Sequence, residues 1–140
     1  LLEYAQYVDN YYGTPRPYVE EMLSQGKNVI LEIEIQGAMK IKEMIPDAVL
    51  AFVTPPTFEE LKKRLVGRGT ETLEVIESRL KRAAEEAEGM HSYDYLLIND
   101  VVEDCVDKLH EIILSERCRA ERNGEFIKAI QEESRCFLGR

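Results

Sequence analysis

The sequence lacks any run of about 18 apolar residues, so it contains no candidate for a membrane-spanning helix. It also lacks a signal-peptide pattern. Cysteine is scarce: Cys105, Cys118 and Cys136 are odd in number and do not have the spacing of metal ligands. These features exclude a disulfide-stapled secreted fold, and we expect reduced thiols in a cytoplasmic protein without membrane contact.

Positive charge is scarce as well. The chain has 18 Lys and Arg against 27 Asp and Glu, which gives a net charge of −9. Nonspecific nucleic-acid binding needs a broad basic surface, so nucleic acid is not an expected partner. With 140 residues, 44% of them hydrophobic, and no internal repeat, the chain has the composition of one globular domain.

One stretch reverses this charge. Residues 61–82 carry seven Lys or Arg against three Glu, a balance of +4, and include Arg64, Arg68 and Arg79. A guanidinium group can bond two oxygens of a phosphate at once and stays charged at every working pH. We therefore expect this stretch to meet phosphate groups. The alternative is a solvated helical face with surface ion pairs.

The residue spacing in this stretch predicts two helices joined by a hinge. Thr57 followed three residues later by Glu60 is typical of a helix start, and a second helix begins near Thr72. The three arginines lie at the margins of the apolar stripes of these helices. Between the helices, Gly67 and Gly69 flank Arg68 and leave the backbone of residues 67–70 free to swing. The sequence therefore predicts a mobile helical hairpin over residues 57–90.

The remaining pattern alternates strands and helices, which predicts an α/β fold with a parallel sheet covered by helices on both faces. Two short aromatic-rich strands come first, at residues 3–8 and 10–13. The predicted sheet strands are residues 28–35, 48–53 and 95–98. The other predicted helices run from Pro15 to Gly26 and over residues 37–45 and 102–122.

Ligands of such sheets bind beyond the carboxyl ends of the strands, and polar residues stand at those ends here. Glu32 and Glu34 alternate with apolar residues, so we expect both on one face, and Asn99 and Asp100 follow the last strand. Carboxylates that end a buried strand need a cation or a donor. A magnesium ion, an arginine or a nucleotide amine is expected nearby; the alternative is a pair of acids at a solvated strand end.

Six motifs in a fixed order resemble those of the guanylate kinase family, and the resemblance runs from Leu1 to about Arg122. The motifs are Glu3, Asn10-Tyr11-Tyr12-Gly13-Thr14, Leu31-Glu32-Ile33-Glu34-Ile35-Gln36-Gly37, Pro55-Pro56, residues 64–70, and Ile98-Asn99-Asp100. The resemblance implies a P-loop NTPase-like sheet, a small β part over residues 1–25 that binds GMP, and a helical lid over residues 57–90. Residues 123–140 then form a helical tail, which docks on the body or on a partner subunit.

The resemblance also implies the roles of four residues around GMP. Glu3 accepts the N1 and 2-amino hydrogens of guanine, and Thr14 serves the O6 side. Adenine has no 2-amino group and an acceptor at N1, so it would leave the carboxylate unpaired. Tyr12 bonds the GMP phosphate. Glu34, where the family usually has aspartate, also belongs to this site.

For the phosphoryl transfer itself, the resemblance implies that Arg64, Arg68 and Arg79 are catalytic lid arginines, which neutralise charge in the transition state. Arg64 and Arg68 also contact ATP, and Asn99 lies near its adenine. The implied reaction moves the γ-phosphoryl of ATP to GMP or dGMP. Mg²⁺ is held by the nucleotide phosphates rather than by a metal site of the protein, and the protein is a monomer or a homo-oligomer.

The chain departs from the family in one respect that bears on activity. None of its eight glycines begins the Gly-x-x-x-x-Gly-Lys-Ser/Thr loop that cradles ATP phosphates. The family places that loop and its strand upstream of the position matched by Leu1. We therefore expect the P-loop strand to be absent, the chain alone to be nearly inactive, and its apolar strand edges to be exposed.

Two other function classes remain open. A non-catalytic relative, similar to the guanylate-kinase-like domains of scaffold proteins, would hold phosphorylated peptides in the same cleft. An acidic α/β domain with no nucleotide role would require all six motifs to be accidental. Glu3, Tyr12, Thr14 and the full set of lid arginines favour the nucleotide enzyme.

Overall fold

A computed structural model describes residues 4–7, 10–13 and 15–139, with the backbone alone described in the first two ranges. The chain divides into two compact units. The first contains Leu1–Val53 and Thr57–Leu96, and the second contains Thr54–Pro56 and Leu97–Arg140. No helix in the described part of the chain combines the length and the apolar character that crossing a membrane requires.

Four strands and six α-helices are found in the described residues. The strands are β1 (Tyr4–Tyr7), β2 (Asn10–Gly13), β3 (Ala51–Thr54) and β4 (Tyr95–Ile98). The helices are α1 (Arg16–Ser24), α2 (Ile35–Met44), α3 (Phe58–Gly67), α4 (Leu73–Ala87), α5 (Val102–Arg117) and α6 (Gly124–Ser134). Short 3₁₀ helices occupy Met90–Ser92, Ala120–Arg122 and Arg135–Phe137.

The first unit begins with an antiparallel hairpin, in which Tyr4 of β1 pairs with Gly13 of β2 and Tyr7 pairs with Asn10. The two predicted short strands are thereby confirmed. Helix α1 follows and ends at Ser24, shortly before the predicted stop at Gly26. Gly26 has φ +77°, a left-handed conformation that side chains with a Cβ rarely adopt.

Strands β3 and β4 form a second, parallel pair. The Tyr95 amide donates to the Leu50 carbonyl at 3.0 Å, and the Asn99 amide donates to the Thr54 carbonyl at 2.8 Å. Both partners advance together along the chain, which is the signature of parallel pairing. The Asp94 carboxylate fixes the start of the pair, because it accepts from the Leu50 amide at 2.8 Å and from Lys42 Nζ at 3.2 Å.

The predicted strand at residues 28–35 is wrong. The structure assigns neither strand nor helix to residues 27–34, and α2 begins at Ile35 rather than at Gly37. A strand needs a hydrogen-bonded neighbour, and no ladder partner for this segment exists among the described residues.

The apolar pattern of this segment still directs its packing. Val29, Leu31 and Ile33 pack against a core formed by Val19 of α1 and Ile41 of α2. Ile30, between two of these inward residues, is 66% exposed. The period of two that is typical of extended chain is therefore present, but one face is covered where the sequence predicted cover on both.

In the second unit, the predicted helix over residues 102–122 is shorter, because α5 ends at Arg117. Asn123 Nδ2 donates to the carbonyls of Arg117 and Arg119 at 2.9 and 2.8 Å, which satisfies backbone acceptors at the helix end. The buried carboxylate of Glu116 binds Arg122 Nη2 at 3.2 Å. The tail forms the predicted helix as α6; its docking partner, and a domain division at residue 122, stay predictions.

Hydrogen exchange will distinguish the extended segment from the sheet. We expect the amides of residues 29–33 to exchange within about tenfold of the unstructured rate, because no backbone carbonyl of the described residues accepts a hydrogen bond from them. The amides of Tyr95 and Asn99, which donate across the parallel pair, serve as the internal control and should be protected by at least about 100-fold. Equal protection of the two sets, measured by NMR, would contradict the absence of a ladder at residues 28–34.

Candidate functional site

The predicted lid consists of helices α3 and α4, and both begin where the sequence predicted. Thr57 Oγ1 accepts from the Glu60 amide at 3.0 Å, and Thr72 Oγ1 accepts from the Val75 amide at 3.3 Å. These caps satisfy amides that have no partner within their helices. The Glu60 side chain accepts a hydrogen bond from Arg64 Nε at 3.2 Å, one turn further along α3.

The predicted hinge between the two helices contains a left-handed turn. Helix α3 ends at Gly67, and Gly69 has φ +65° while its amide donates to the Val66 carbonyl at 3.2 Å. A residue with a Cβ would be strained at Gly69. Arg68, between these glycines, is exposed. The predicted break between the two helices is present at these residues, and its mobility stays a prediction.

The third lid arginine, Arg79 on α4, pairs with a carboxylate from the loop between α3 and α4. Arg79 Nη2 lies 3.0 Å from Glu71 Oε1. The side chain of Arg79 is 36% exposed and that of Glu71 is 19% exposed, so the pair is partly shielded from water. The alternative reading of the basic stretch, with ion pairs on the lid helices, is thus correct for Arg64 and Arg79. Such pairing is compatible with phosphate binding, because a guanidinium carries five N–H donors.

Glu34 caps helix α2. Its Oε2 accepts from the Gln36 amide at 2.9 Å, and its Oε1 accepts from the Gly37 amide at 3.0 Å. Arg82 of α4 donates from Nη2 to Glu34 Oε2 at 2.9 Å. The expectation that this acid needs a cation partner is confirmed, and that partner is an arginine.

Glu32 does not share this environment. It is exposed, whereas the side chain of Glu34 is only 13% exposed. The prediction that both acids lie on one face at a strand end is wrong, because α2 starts at Ile35 and Glu34 folds onto the N-terminus of that helix.

Arg82 joins two carboxylates, since its Nε also donates to Glu86 Oε1 at 3.0 Å. Sequence reasoning missed this residue. Its i, i+4 spacing to Glu86 was visible, but Glu34 lies 48 residues away and no local pattern predicts that contact. The arginine thus links lid helix α4 to the capping carboxylate of α2, both within the first unit.

Tyr93 lies beside this cluster. Burial raises the pKa of its phenol above the ordinary value of 10.0, and the negative charges of Glu86 and Glu34 raise it further. The ring of Tyr93 meets the ring of Phe52 edge to face, with centroids 5.0 Å apart. The phenol is therefore fixed by an aromatic contact in a negative environment.

The structure leaves some predicted site residues untested. Glu3 and Thr14 lie outside the described residues, and for Tyr12 only the backbone within β2 is described. Asn99 belongs to the second unit, where its amide pairs with the Thr54 carbonyl. The nucleotide contacts of these four residues stay predictions.

Comparison with known proteins decides the family. The sequence model of guanylate kinase matches residues 1–116. The chain belongs to the guanylate kinase family. Guanylate kinase of Oceanobacillus iheyensis is 53% identical over 133 residues, which cover 95% of this chain and 65% of that protein. Guanylate kinase of Lactococcus lactis is 54% identical over 122 residues, covering 87% of this chain and 60% of the relative.

A solved structure supports the same assignment. The crystal structure of guanylate kinase from Anaplasma phagocytophilum matches with a TM-score of 0.71 and 33% sequence identity, over 86% of this chain and 57% of that one. The P-loop NTPase-like α/β fold implied by the sequence is therefore confirmed. The chain spans about two thirds of the length of the curated guanylate kinases that it matches.

Replacing Glu34 tests the capping cluster. We expect Glu34→Ala to lower the free energy of unfolding by about 1–2 kcal/mol, because it removes the α2 cap and one partner of Arg82. Glu34→Asp should lower the free energy of unfolding by less, because aspartate still caps the helix. Some loss should remain, because the shorter side chain does not keep the contact with Arg82. Urea denaturation measures both. The control is the exposed Glu32→Ala, and an equal effect of Glu32→Ala and Glu34→Ala would contradict the proposed cluster.

The raised pKa of Tyr93 predicts a loss of stability at alkaline pH. The folded protein holds the phenol proton more tightly than the unfolded chain does, so this contribution is complete below about pH 10 and is lost as the pH rises through the folded pKa. Tyr93→Phe keeps the ring contact with Phe52 and removes the titration. We expect the free energy of unfolding, measured by urea between about pH 8 and 11, to fall less steeply in Tyr93→Phe.

The exposed Tyr18 supplies the control for this experiment. Tyr18→Phe removes a phenol from a side chain that is 60% exposed, and its alkaline slope is the reference for that of Tyr93→Phe. If Tyr93→Phe leaves the slope unchanged, the phenol of Tyr93 does not titrate differently in the folded and unfolded states.

Proposed function

We propose that the complete protein containing this chain is a phosphotransferase that moves the γ-phosphoryl of ATP to GMP, giving ADP and GDP. The observation that carries the proposal is the match of residues 1–116 to guanylate kinase, at 53% identity to a curated relative. The lid adds support, because its two helices and the hinge between them carry Arg64, Arg79 and Arg68 within one unit of the fold.

In this proposal the purine is selected by hydrogen bonding. Glu3 accepts the N1 and 2-amino hydrogens of guanine, Thr14 serves O6, and Tyr12 bonds the phosphate. Glu34 contributes a fixed acceptor. A carboxylate offers about four lone-pair sites, and the Gln36 amide, the Gly37 amide and Arg82 use three of them here. One site remains for an N–H of the substrate, and the carboxylate needs no reorganisation to offer it.

The arginines supply the electrostatic part of the reaction. Phosphoryl transfer needs little covalent help from the protein, so positioning and charge neutralisation provide most of the catalysis. Arg64, Arg68 and Arg79 stabilise the negative oxygens of the transferring group, and Asn99 contacts the adenine of ATP. This division of roles agrees with the balance of +4 over residues 61–82 in a chain whose net charge is −9.

Mg²⁺, which the family uses with ATP, has no protein site in this proposal. Within residues 15–139 and the two hairpin strands, no group of three or more His, Cys, Asp or Glu side chains is arranged to hold a metal ion. We assign Mg²⁺ to the phosphates of ATP, and none of the residue roles above depends on it. Cytoplasmic location and a monomeric or homo-oligomeric state belong to the proposal as well.

Calorimetric titration tests the substrate. We expect the chain to bind GMP and to bind AMP about 10- to 100-fold more weakly, because adenine leaves the Glu3 carboxylate unpaired. Glu3→Gln should weaken GMP binding and reduce the preference for GMP over AMP. Glu43→Gln, which removes an exposed acid from α2, should change neither quantity. Binding is the suitable readout, because the given sequence lacks the phosphate-loop motif.

The same titration separates the alternative function. A guanylate-kinase-like domain that binds phosphopeptides would give heat with an acidic phosphopeptide and none with GMP. That result would replace the nucleotide proposal by the interaction-domain reading. Equal affinity for GMP and AMP would contradict the guanine-selecting role of Glu3.

A further inference from the structure

Arg79 has one ion-pair partner among the described residues, and that pair is half complete. Its Nη2 lies 3.0 Å from Glu71 Oε1. Arg79 Nε and Glu71 Oε2 are both buried, and neither has a hydrogen-bond partner in the part of the chain that the structure describes. A buried donor and a buried acceptor therefore belong to the same two side chains that already meet through their other atoms.

The chemistry of guanidinium explains this arrangement. Nε and Nη2 lie on the same edge of the planar group, which is the edge that binds a carboxylate through two parallel bonds. Arg79 meets Glu71 as an ion pair through Nη2 and Oε1, while Nε and Oε2, the other atoms of such a two-point contact, are buried without hydrogen-bond partners among the described residues. The inner edge of Arg79 is thus committed to Glu71. Nη1 lies on the opposite, outer edge of the group, outside this ion pair.

The position of Glu71 in the chain makes it suited to this task. It lies between Gly69, whose left-handed conformation turns the hinge loop, and Thr72, which caps α4. Its carboxylate reaches Arg79 on α4. The pair therefore fixes the arginine and attaches the loop to the helix at the same time.

Arg64 provides a contrast on the other lid helix. Its bond to Glu60 is an i, i+4 pair with side chains 37% and 38% exposed, which is the usual weak surface type. The Glu71 side chain is 19% exposed and its Oε2 is buried, so the pair with Arg79 is more shielded from water. Of the two pairs, the one with Arg79 is built to set an orientation.

We propose that Glu71 is a positioning residue for Arg79. It grips the inner edge of the guanidinium so that the outer edge faces the transferring phosphoryl group. The inference rests on the proposed function, since it takes Arg79 to be a phosphate-binding arginine. A carboxylate placed this way lowers the net positive charge of the lid but removes rotamer freedom that phosphate binding would otherwise have to remove.

The first test reads the arginine directly and needs no nucleotide. In a ¹⁵N NMR spectrum of the whole chain, the Nε–H signal of Arg79, assigned by its loss in Arg79→Lys, should exchange slowly with water because Nε is buried. In Glu71→Gln we expect that exchange to be at least about tenfold faster. Glu74→Gln, which removes an exposed acid from the first turn of α4, is the matched control and should leave the signal unchanged.

The second test reads anion binding, with inorganic pyrophosphate as the probe. We expect Glu71→Gln and Arg79→Lys each to lower the affinity for pyrophosphate by about tenfold. The double variant should bind pyrophosphate no more weakly than Arg79→Lys alone. Such non-additivity distinguishes positioning from a general loss of stability. Backbone amide spectra of each variant establish that the chain is folded.

The outcomes separate this inference from the proposed function. If the Arg79 Nε–H exchange rate is unchanged in Glu71→Gln, the inference is overturned, regardless of the result of the GMP titration. Tighter pyrophosphate binding in Glu71→Gln also overturns it, because Glu71 would then be a competitor of phosphate. Equal affinity of the unaltered chain and Arg79→Lys overturns it too, since Arg79 would not meet the anion. Equal affinity for GMP and AMP, by contrast, contradicts the proposed function but does not affect the slow exchange expected for Arg79 Nε–H.

Discussion

The described site depends on one hydrogen-bonded carboxylate. Glu34 closes the N-terminus of α2 through the Gln36 and Gly37 amides and binds Arg82 of α4 with the same group. Two helices are thereby joined at a single polar point. Nearby, Gly89 leaves so little space that a Cβ there would collide with the side chain of Ile35, the first residue of α2. The Ile35 side-chain contact and the ion pair therefore both join α2 to the C-terminal part of α4 and the residues that follow it.

Charge pairing explains how an acidic chain carries a basic stretch without losing stability. Arg64, Arg79 and Arg82 each bind a carboxylate in the structure. Three neighbouring guanidinium groups would otherwise repel one another, and their side chains would be free to move. Pairing offsets the repulsion and orders the side chains before a ligand arrives, which is the preorganisation that electrostatic catalysis needs. It costs part of the positive potential, since each paired carboxylate offsets one guanidinium charge.

The range of each interaction decided what the sequence could predict. The cap at Thr57 and the start of α4 near Thr72 were predicted correctly, because a helix start depends on residues two or three positions away. The strand at residues 28–35 was not, because a ladder depends on a partner that hydropathy does not reveal. The bond from Arg82 to Glu34 spans 48 residues and left no local trace. The candidate site was predicted from the family motifs, and the contacts that fix it came from the structure.

The failed strand also shows that the site does not depend on the sheet at this position. In a parallel sheet, a carboxylate at a strand end is placed by the ladder that holds the strand. Residues 27–34 have no ladder in the described chain, yet Glu34 is still fixed, because the α2 amides and Arg82 hold it. The apolar contacts of Leu31 and Ile33 with the core around Val19 and Ile41 set the path of the chain up to that point. Local capping, one long-range ion pair and one-sided packing are therefore sufficient to place the carboxylate, and a strand pairing with this segment would add stability rather than position.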